Sequence, residues 1–232
     1  MDAPEIVEAE LFDPRLEILP PAQRSLWGKL EETPQNFVLY GGTAMALRLG
    51  HRQSEDFDLF SNDSFEASDL LHSLSYLREA RVNQRGNNTL TVVVDGSEPV
   101  KLSFFGDVRM NHVEEPDVSP DNRLQIASLL DLTATKLKTV QQRAEAKDYR
   151  DIAAALESGI ALSRALAAAR AVYGKSFNAM VTLKALTYFQ DGNLESLPLS
   201  TQERLRTASE SVKLEALPLI QAASGIIRRD QQ

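Results

Sequence analysis

The sequence contains no cysteine, which excludes disulfide bonds, thiolate metal sites and cysteine nucleophiles together. Its only histidines are His51, His72 and His112, and their spacing matches neither a histidine metal site nor a Ser/His/Asp triad. No apolar run approaches the ~18 residues of a membrane-spanning helix. The acidic N-terminal stretch does not have the pattern of a signal peptide. We therefore expect a protein of the cytoplasm that does not contact a membrane.

Positive charge is scarce as well. The 232 residues include 25 Lys and Arg against 33 Asp and Glu, and the net charge is −8. Proteins whose main work is to hold nucleic acid usually carry a basic excess, so a broad nucleic-acid footprint is not expected. Cations nevertheless gather in residues 136–150, where a local patch could contact a few phosphates: Lys136, Lys138, Arg143, Lys147 and Arg150.

The most informative stretch covers residues 37–61. Its first four residues, Phe-Val-Leu-Tyr, have the composition of a short buried strand. Gly41 and Gly42 then mark a tight turn or a close approach to the backbone. Thr43 is a good N-cap for a helix that would end near Gly50. A second strand follows at residues 56–60.

Asp56 and Asp58 share one face of that second strand, because side chains alternate along a strand. Two adjacent carboxylates repel each other unless a cation lies between them, and Mg²⁺ is often held by one or two carboxylates together with substrate phosphates. The glycine turn supplies free N–H groups at a helix N-terminus, which favour anionic oxygens. The arrangement indicates a nucleoside triphosphate (NTP) site. The plainer alternative is a surface strand with two solvated aspartates.

These residues resemble the first motif of the AbiEii/AbiGii-type nucleotidyltransferases, which are polymerase-β-like enzymes and often toxins of bacterial toxin–antitoxin or abortive-infection systems. The residues that carry the resemblance are Gly41-Gly42-Thr43, Arg48, His51-Arg52, Ser54 and Asp56-Phe57-Asp58, followed by Lys136-Leu137 and Lys147-Asp148-Tyr149-Arg150-Asp151. The likeness covers roughly residues 35–155.

The resemblance implies that the protein moves a nucleoside monophosphate from an NTP to an acceptor, with Mg²⁺ as cofactor. It suggests tRNA or a protein hydroxyl as the acceptor, and a cognate antitoxin as a partner. The implied roles are metal binding by Asp56 and Asp58, phosphate binding by Gly41, Gly42, Thr43 and Arg52, neutralisation of the triphosphate by Lys136 and Arg48, and an active-site acid at Asp148 or Asp151. Spacing does not distinguish these two acids; Asp148 is the first choice as a catalytic residue and Asp151 is placed with the substrate-binding residues.

Lys136 lies on a helix that Ser128 and Asp131 start with the spacing of a capping box. Leu129, Leu132 and Val140 share its side of that helix, and Arg143 and Lys147 would join them if the helix continued. Lysine is rarely buried without a partner, so we interpret Lys136 as a cation that faces the triphosphate. The alternative is a lysine that reaches solvent along a wet helix face.

One strand departs from the polymerase-β-like pattern. A third carboxylate is usual on the strand beside the paired aspartates, and the matching strand, residues 100–105, offers Lys101 and Ser103 instead. Two explanations stay open: Asp56, Asp58 and substrate hold the metal alone, or Asp148 or Asp151 approaches from the helical part. The number of metal ions is left undecided.

The predicted fold is α/β (α+β), a mixed nucleotidyltransferase-type sheet with flanking helices and a helical C-terminal part. We predict a nucleotidyltransferase core over residues 20–127, with an antiparallel meander of three strands between residues 81 and 105. Residues 128–232 should complete the active site and add further helices, the last at 217–227. Two other functions are considered: an aminoglycoside-type small-molecule nucleotidyltransferase, and a catalytically inactive nucleotide-binding partner module.

Overall fold

The computed structural model describes residues 12–228, and within that range a sheet of seven strands runs in the order β3-β4-β5-β2-β1-β7-β6. The strands are β1 (Val38–Tyr40), β2 (Asp56–Phe60), β3 (Arg81–Gly86), β4 (Thr89–Val94), β5 (Val100–Phe105), β6 (Asp117–Val118) and β7 (Gln125–Ile126). Strand β2 is parallel to β5 and antiparallel to β1, so the sheet is mixed. The fold class and the meander of β3, β4 and β5 are confirmed. Strands β6 and β7 have only two residues each, so the hydrophobic periodicity of the sequence could not predict them.

The helices of the same part of the chain are α1 (Pro21–Trp27), α2 (Gly41–Leu49), α3 (Ala67–Ser73), α4 (Leu129–Thr139), α5 (Ala146–Glu157), α6 (Leu162–Tyr173), α7 (Ala179–Ala185) and α8 (Leu199–Glu210). The helix predicted over residues 217–227 is wrong, because Pro218 follows a short 3-10 turn and the chain stays irregular there. Residues 1–11 of the acidic N-terminal stretch lie outside the described part, and Leu16–Ile18 forms a 3-10 turn. No single helix of residues 12–228 has the length and apolarity of a membrane span.

Buried apolar side chains of the described residues form two clusters. One fills the sheet and its helices, with Leu39, Leu59 and Phe104 fully buried. The other lies among α4 to α8 and includes Leu137 and Leu166. Helices α4 and α5 contribute to both clusters and contact α2, so the helical part is fixed against the helix that follows the glycine turn. The proposed boundary between residues 127 and 128 stays a prediction.

The helix that begins after Ser128 does not continue to Arg143 and Lys147, because the chain bends between α4 and α5. Distant residues stabilise the bend: the Asn193 side chain accepts a 2.7 Å hydrogen bond from the Ala146 N–H at the start of α5. Gly192 packs so closely that a Cβ there would lie 2.0 Å from the Ala144 carbonyl oxygen. The N-cap part of the prediction holds, since the Ser128 Oγ accepts a bond from the Asp131 N–H.

Candidate active site

A cavity of about 550 Å³ opens between the N-terminus of α2, strand β2 and the bend between α4 and α5. Six of the residues that the sequence singled out line it: Gly41, Gly42, Arg52, Asp56, Asp58 and Lys136. Arg143 and Lys147 join them from the bend, although these two do not share a helix with Lys136. The fold therefore brings carboxylates, backbone N–H groups and cations to one cavity.

Asp56 and Asp58 lie on the open face of β2, while Phe57 and Leu59 are fully buried on the other face. Burial raises the pKa of Asp58, and the neighbouring charge of Asp56 raises it further. Asp56 lies opposite Lys101 in the parallel pairing of β2 with β5, and its Oδ2 is 2.7 Å from the Lys101 Nζ. The two carboxylates are thus only partly neutralised, and a cation between them would relieve the repulsion.

The glycine turn brings backbone directly against this pair. Gly41 has a positive φ of 76°, which favours glycine, and a Cβ at this position would lie 2.5 Å from the Asp58 Oδ2. Helix α2 begins at Gly41, without a side-chain cap, so its first N–H groups are free for an anion at the cavity. The close approach of the Asp58 side chain is therefore a stronger reason for a glycine at position 41 than the tight turn alone.

Thr43 has a different role from the predicted one. It is not the N-cap of α2, which begins two residues earlier, and it does not line the cavity. Its side chain is fully buried and its hydroxyl donates a hydrogen bond to the Asp56 carbonyl oxygen. Thr43 therefore joins α2 to β2 and holds the glycine turn beside the aspartates, rather than cradling phosphate with its hydroxyl.

Arg48 also departs from its predicted role. Its guanidinium donates to the carbonyl oxygens of Ala127 and Ile126, at 2.7 and 3.0 Å, and pairs with Asp117 at 2.7 Å. These contacts attach α2 to the β6–β7 side of the sheet. Because they direct the side chain away from the cavity that the aspartates line, Arg48 does not neutralise a triphosphate there.

Lys136 is the cation that the structure fixes most tightly. Its side chain is only 8% exposed, and its Nζ lies 2.7 Å from the Asp148 Oδ1 and 2.7 Å from the Asp151 Oδ2. Asp148 also accepts from the Arg143 guanidinium at 2.8 Å. Asp151 accepts two bonds from Arg52, at 2.6 and 2.8 Å. We call Lys136, Asp148, Asp151, Arg143 and Arg52, with His51, the Lys136 cluster.

The two carboxylates of the Lys136 cluster have no exposed side-chain surface. Burial by itself raises the pKa of Asp151, but hydrogen bonds from His51 and Arg52 and the charge of Lys136 outweigh it, and the pKa is held well below its usual range. The pKa of Asp148 is lowered in the same way, mainly by Arg143 and Lys136 against its burial. Both acids are therefore ionised, and they orient cations.

This geometry bears on the roles expected for Asp148 and Asp151. Neither side chain lines the cavity, so Asp148 does not contact a reacting group there and Asp151 does not bind substrate directly. Both contact Lys136 and hold the same ammonium group, so the geometry does not favour one of them over the other. Neither replaces the missing third carboxylate, since cations from several segments already occupy their oxygens.

Sequence reasoning missed the ion pair between Lys101 and Asp56. The side chains come from strands that are separated by α3, β3 and β4, and only the register of β2 with β5 places them opposite each other. The signal available was the polar face of β5, where Lys101 and Ser103 alternate with buried Leu102 and Phe104. The lysine neutralises one of the aspartates at the position where an acid was expected.

Two carboxylates fit a magnesium ion that takes its remaining ligands from phosphate and water. Among residues 12–228, no three His, Asp or Glu side chains gather into a group that could hold a metal ion. The donor set is therefore the pair on β2, consisting of hard oxygen ligands. It suits a metal that arrives with its substrate better than a permanently enclosed ion.

Comparison with known proteins gives consistent results. Residues 25–223 match the family described as "Nucleotidyl transferase AbiEii toxin, Type IV TA system". An uncharacterized protein of Aquifex aeolicus (strain VF5) is 29% identical over 163 residues, which is 69% of this chain and 77% of that protein. The structure of MenT4, a nucleotidyltransferase toxin of Mycobacterium tuberculosis H37Rv, is similar with a TM-score of 0.59 and 14% identity, over 84% of this chain and 83% of that one. That likeness concerns the fold.

Proposed function

The chain belongs to the AbiEii family of nucleotidyl transferase toxins of type IV toxin–antitoxin systems, and from this premise we propose that it transfers a nucleoside monophosphate from an NTP to tRNA with Mg²⁺ as cofactor. One observation carries the proposal: the carboxylates of Asp56 and Asp58 and the fixed ammonium group of Lys136 line the same cavity. The family also implies a cognate antitoxin as a partner.

Asp56 and Asp58 would hold the magnesium ion. Burial and the charge of Asp56 raise the pKa of Asp58, and a bound cation would oppose this shift by favouring the ionised form. The ion would stabilise negative charge on the attacked phosphate and on the leaving pyrophosphate. Lys101 competes for Asp56, and we expect the ammonium group to withdraw when the metal site fills.

The chain's own donors bind the triphosphate. Free N–H groups at the start of α2, at Gly41 and Gly42, would donate hydrogen bonds to phosphate oxygens at the positive end of the helix dipole. Lys136 has three N–H donors, and the two carboxylates of its cluster use two of them. The remaining donor is available to a phosphate oxygen in the cavity, and it is oriented in advance.

The bond changes are those of nucleotidyl transfer. An oxygen of the acceptor hydroxyl bonds to the α-phosphorus, the bond between the α-phosphorus and its bridging oxygen breaks, and pyrophosphate leaves. The hydroxyl proton passes to water. Arg143 and Lys147, with side chains 45% and 53% exposed at the cavity, would neutralise phosphate that enters or leaves from solvent.

We favour tRNA over a protein hydroxyl because of these two exposed cations. On a chain with a net charge of −8, Arg143 and Lys147 lie where the end of an acceptor must enter, and a tRNA end needs only a few phosphate contacts. A protein acceptor such as the cognate antitoxin has no comparable requirement for cations. An aminoglycoside is itself cationic, so the same two residues would repel it.

The test is to incubate the protein with each labelled NTP and Mg²⁺, in separate reactions with tRNA, the cognate antitoxin and an aminoglycoside. We expect label on tRNA, and we expect Lys136→Ala to reduce its appearance by about 10²–10³-fold, the cost of removing one fixed donor from developing charge. Lys138→Ala is the matched control, since Lys138 contacts the Ser176 carbonyl oxygen and does not line the cavity.

Each other outcome has its own meaning. Label on the antitoxin would make a protein hydroxyl the acceptor, and label on the aminoglycoside would favour the small-molecule transferase. Tight Mg²⁺-dependent NTP binding without transfer to any acceptor would favour the inactive binding module. Equal activity of the Lys136→Ala and Lys138→Ala variants would refute the assigned role of Lys136.

A further inference from the structure

A second cavity, of about 300 Å³, lies between α5 and the N-terminus of α8. We call it the Arg150 cavity; the lining residues that matter here are His51, Arg52, Arg150, Ser200, Thr201 and Arg204. It shares Arg52 with the active-site cavity. Nothing in the proposed transfer reaction uses Arg150, Arg204 or the start of α8, so this concentration of cations calls for another ligand.

The charge of the Arg150 cavity is positive on an otherwise acidic chain. Three arginines and one histidine line it, against a single carboxylate from Glu157. Arg204 pairs with Glu157 at 2.9 Å, with both side chains well exposed, and such exposed pairs contribute little and exchange readily. Arg150 is exposed and is paired with no acidic side chain of residues 12–228. Arg52 is held by Asp151, so the charge available to an anion is above all that of Arg150.

Helix α8 adds backbone donors to the same cavity, and His51 is among its lining residues. The Nδ1 atom of His51 is buried and has no hydrogen-bond partner in the described part of the chain, while its Nε2 is 2.7 Å from the Asp151 Oδ1. Helix α8 has twelve residues and no side-chain cap on its N-terminus. The Thr201 N–H donates to the Pro198 carbonyl oxygen at 2.9 Å, so the N–H groups of Leu199 and Ser200 are the ones available to an anion.

We propose that the Arg150 cavity is a second phosphate site, and that it takes a backbone phosphate of the RNA acceptor. Arginine donors and an uncapped helix N-terminus together suit a cluster of phosphate oxygens. An RNA backbone is the source that fits best, because Arg150 is exposed and the shared Arg52 makes the two cavities neighbours. One strand can then reach both. This inference rests on the proposed transfer to tRNA.

Arg52 also connects the second site to the first. Its guanidinium holds Asp151 by two bonds, and Asp151 holds Lys136. Arg52, Asp151 and Lys136 therefore form a series of contacts. A phosphate in the Arg150 cavity would add negative charge at the Arg52 end, and the ammonium group at the other end binds the triphosphate. The position of the acceptor and the position of that ammonium group depend on the same arginine.

The experiment uses the double variant Arg150→Gln with Arg204→Gln, in the full chain, and compares it with Arg170→Gln, which removes an exposed cation of α6 away from both cavities. Binding of bacterial tRNA is measured by filter retention as a function of salt, without NTP, so that it is independent of transfer. Calorimetry with inorganic phosphate, and with NTP and Mg²⁺, completes the set.

We expect the double variant to bind tRNA about ten-fold more weakly, with a salt slope smaller by about 2, because each phosphate contact contributes roughly one unit. The affinity for NTP should not change, and inorganic phosphate should compete with tRNA for the wild type but not for the double variant. The Arg170→Gln variant should bind tRNA like the wild type.

Three results would overturn the proposal. Unchanged tRNA affinity and salt slope in the double variant would remove the site. Loss of inorganic phosphate binding with unchanged tRNA binding would show that the cavity takes a free phosphate ion and not an RNA backbone. An equal loss in Arg170→Gln would show a general effect of charge. If the wild type binds tRNA through Arg150 and Arg204 but transfers no label, the transfer reaction fails and the RNA site stands.

Discussion

The molecule contains two pairs of aspartates in opposite electrostatic states. Asp56 and Asp58 on β2 lie at the open cavity; the Asp56 side chain is 41% exposed, and burial together with its neighbour raises the pKa of Asp58. Asp148 and Asp151 on α5 have no exposed side-chain surface, and their cationic partners lower the pKa of both. Asp56 and Asp58, the strand pair, have too few cationic partners to balance their charge. Asp148 and Asp151, the helix pair, have enough.

The difference teaches how the same side chain serves two purposes in one site. An ionised carboxylate that is poorly compensated attracts a mobile cation, whereas one that is surrounded by fixed cations orients them. Exposure and partners decide the role, and residue type does not. The comparison predicts that removing charge from the strand pair affects chemistry and spares the fold, while removing it from the helix pair damages the fold first.

The largest expected effect comes from Asp58→Asn. Loss of one of the two carboxylates that we propose as metal ligands should reduce nucleotidyl transfer by about 10³-fold, or about 4 kcal/mol. Stability in urea should be equal to or slightly above that of the wild type, because the repulsion between Asp56 and Asp58 is removed. Transfer assays with labelled NTP and urea titrations measure the two quantities, and Asp69→Asn, on the exposed side of α3, is the control. If Asp58→Asn lost both activity and stability, the strand pair would not differ from the helix pair.

Asp151→Asn should reverse that pattern. The change leaves Lys136, Arg52 and His51 without their shared carboxylate, and uncompensated buried charge costs about 3 kcal/mol or more. We expect the urea midpoint to fall accordingly, with activity reduced in the fraction that stays folded. Retention of wild-type stability would mean that water or other groups compensate the cations, and that the helix pair does not differ from the strand pair.

The contribution of the helix pair to stability should depend on pH in the acidic range. The pKa of Asp151 is lower in the folded state than in the unfolded chain, so its contribution is complete above the unfolded value of about 3.9 and is lost as pH falls from there towards the folded pKa. The wild type should therefore lose stability more steeply than Asp151→Asn below pH about 4. Urea titrations at a series of acidic pH values test this, and parallel curves for the two proteins would contradict it.

The smallest effect is expected at Lys101. Its ion pair with Asp56 is about two-fifths exposed on both sides, and such pairs contribute less than about 1 kcal/mol. Lys101→Gln should leave stability nearly unchanged and should tighten Mg²⁺-dependent NTP binding a few-fold, because Asp56 no longer has a competing cation. Calorimetry measures this affinity. Weaker binding in the variant would mean that Lys101 contributes to the site and does not compete for it.

Local features of the sequence predicted the centre of the site. The glycine turn, the alternation around Asp56 and Asp58 and the apolar stripe around Lys136 each lie within one or two elements, so spacing is enough to relate them. The surroundings could not be predicted in this way. The partner of Asp56 depends on strand register, the bend after α4 depends on Gly192 and Asn193, and Arg48 was misassigned because β6 and β7 gave no signal.

The Lys136 cluster has a consequence for the biosynthesis of the protein. Its members come from two widely separated parts of the chain, residues 51–52 and residues 136–151, and Asp151 is the last that the ribosome adds. A nascent or prematurely terminated chain that stops before α5 carries the glycine turn and the strand carboxylates, yet its lysine has no acids to hold it. The protein belongs to a toxin family, so this order of synthesis matters to the cell that makes it. That cell is exposed to an active enzyme only after the helical part has been completed and packed.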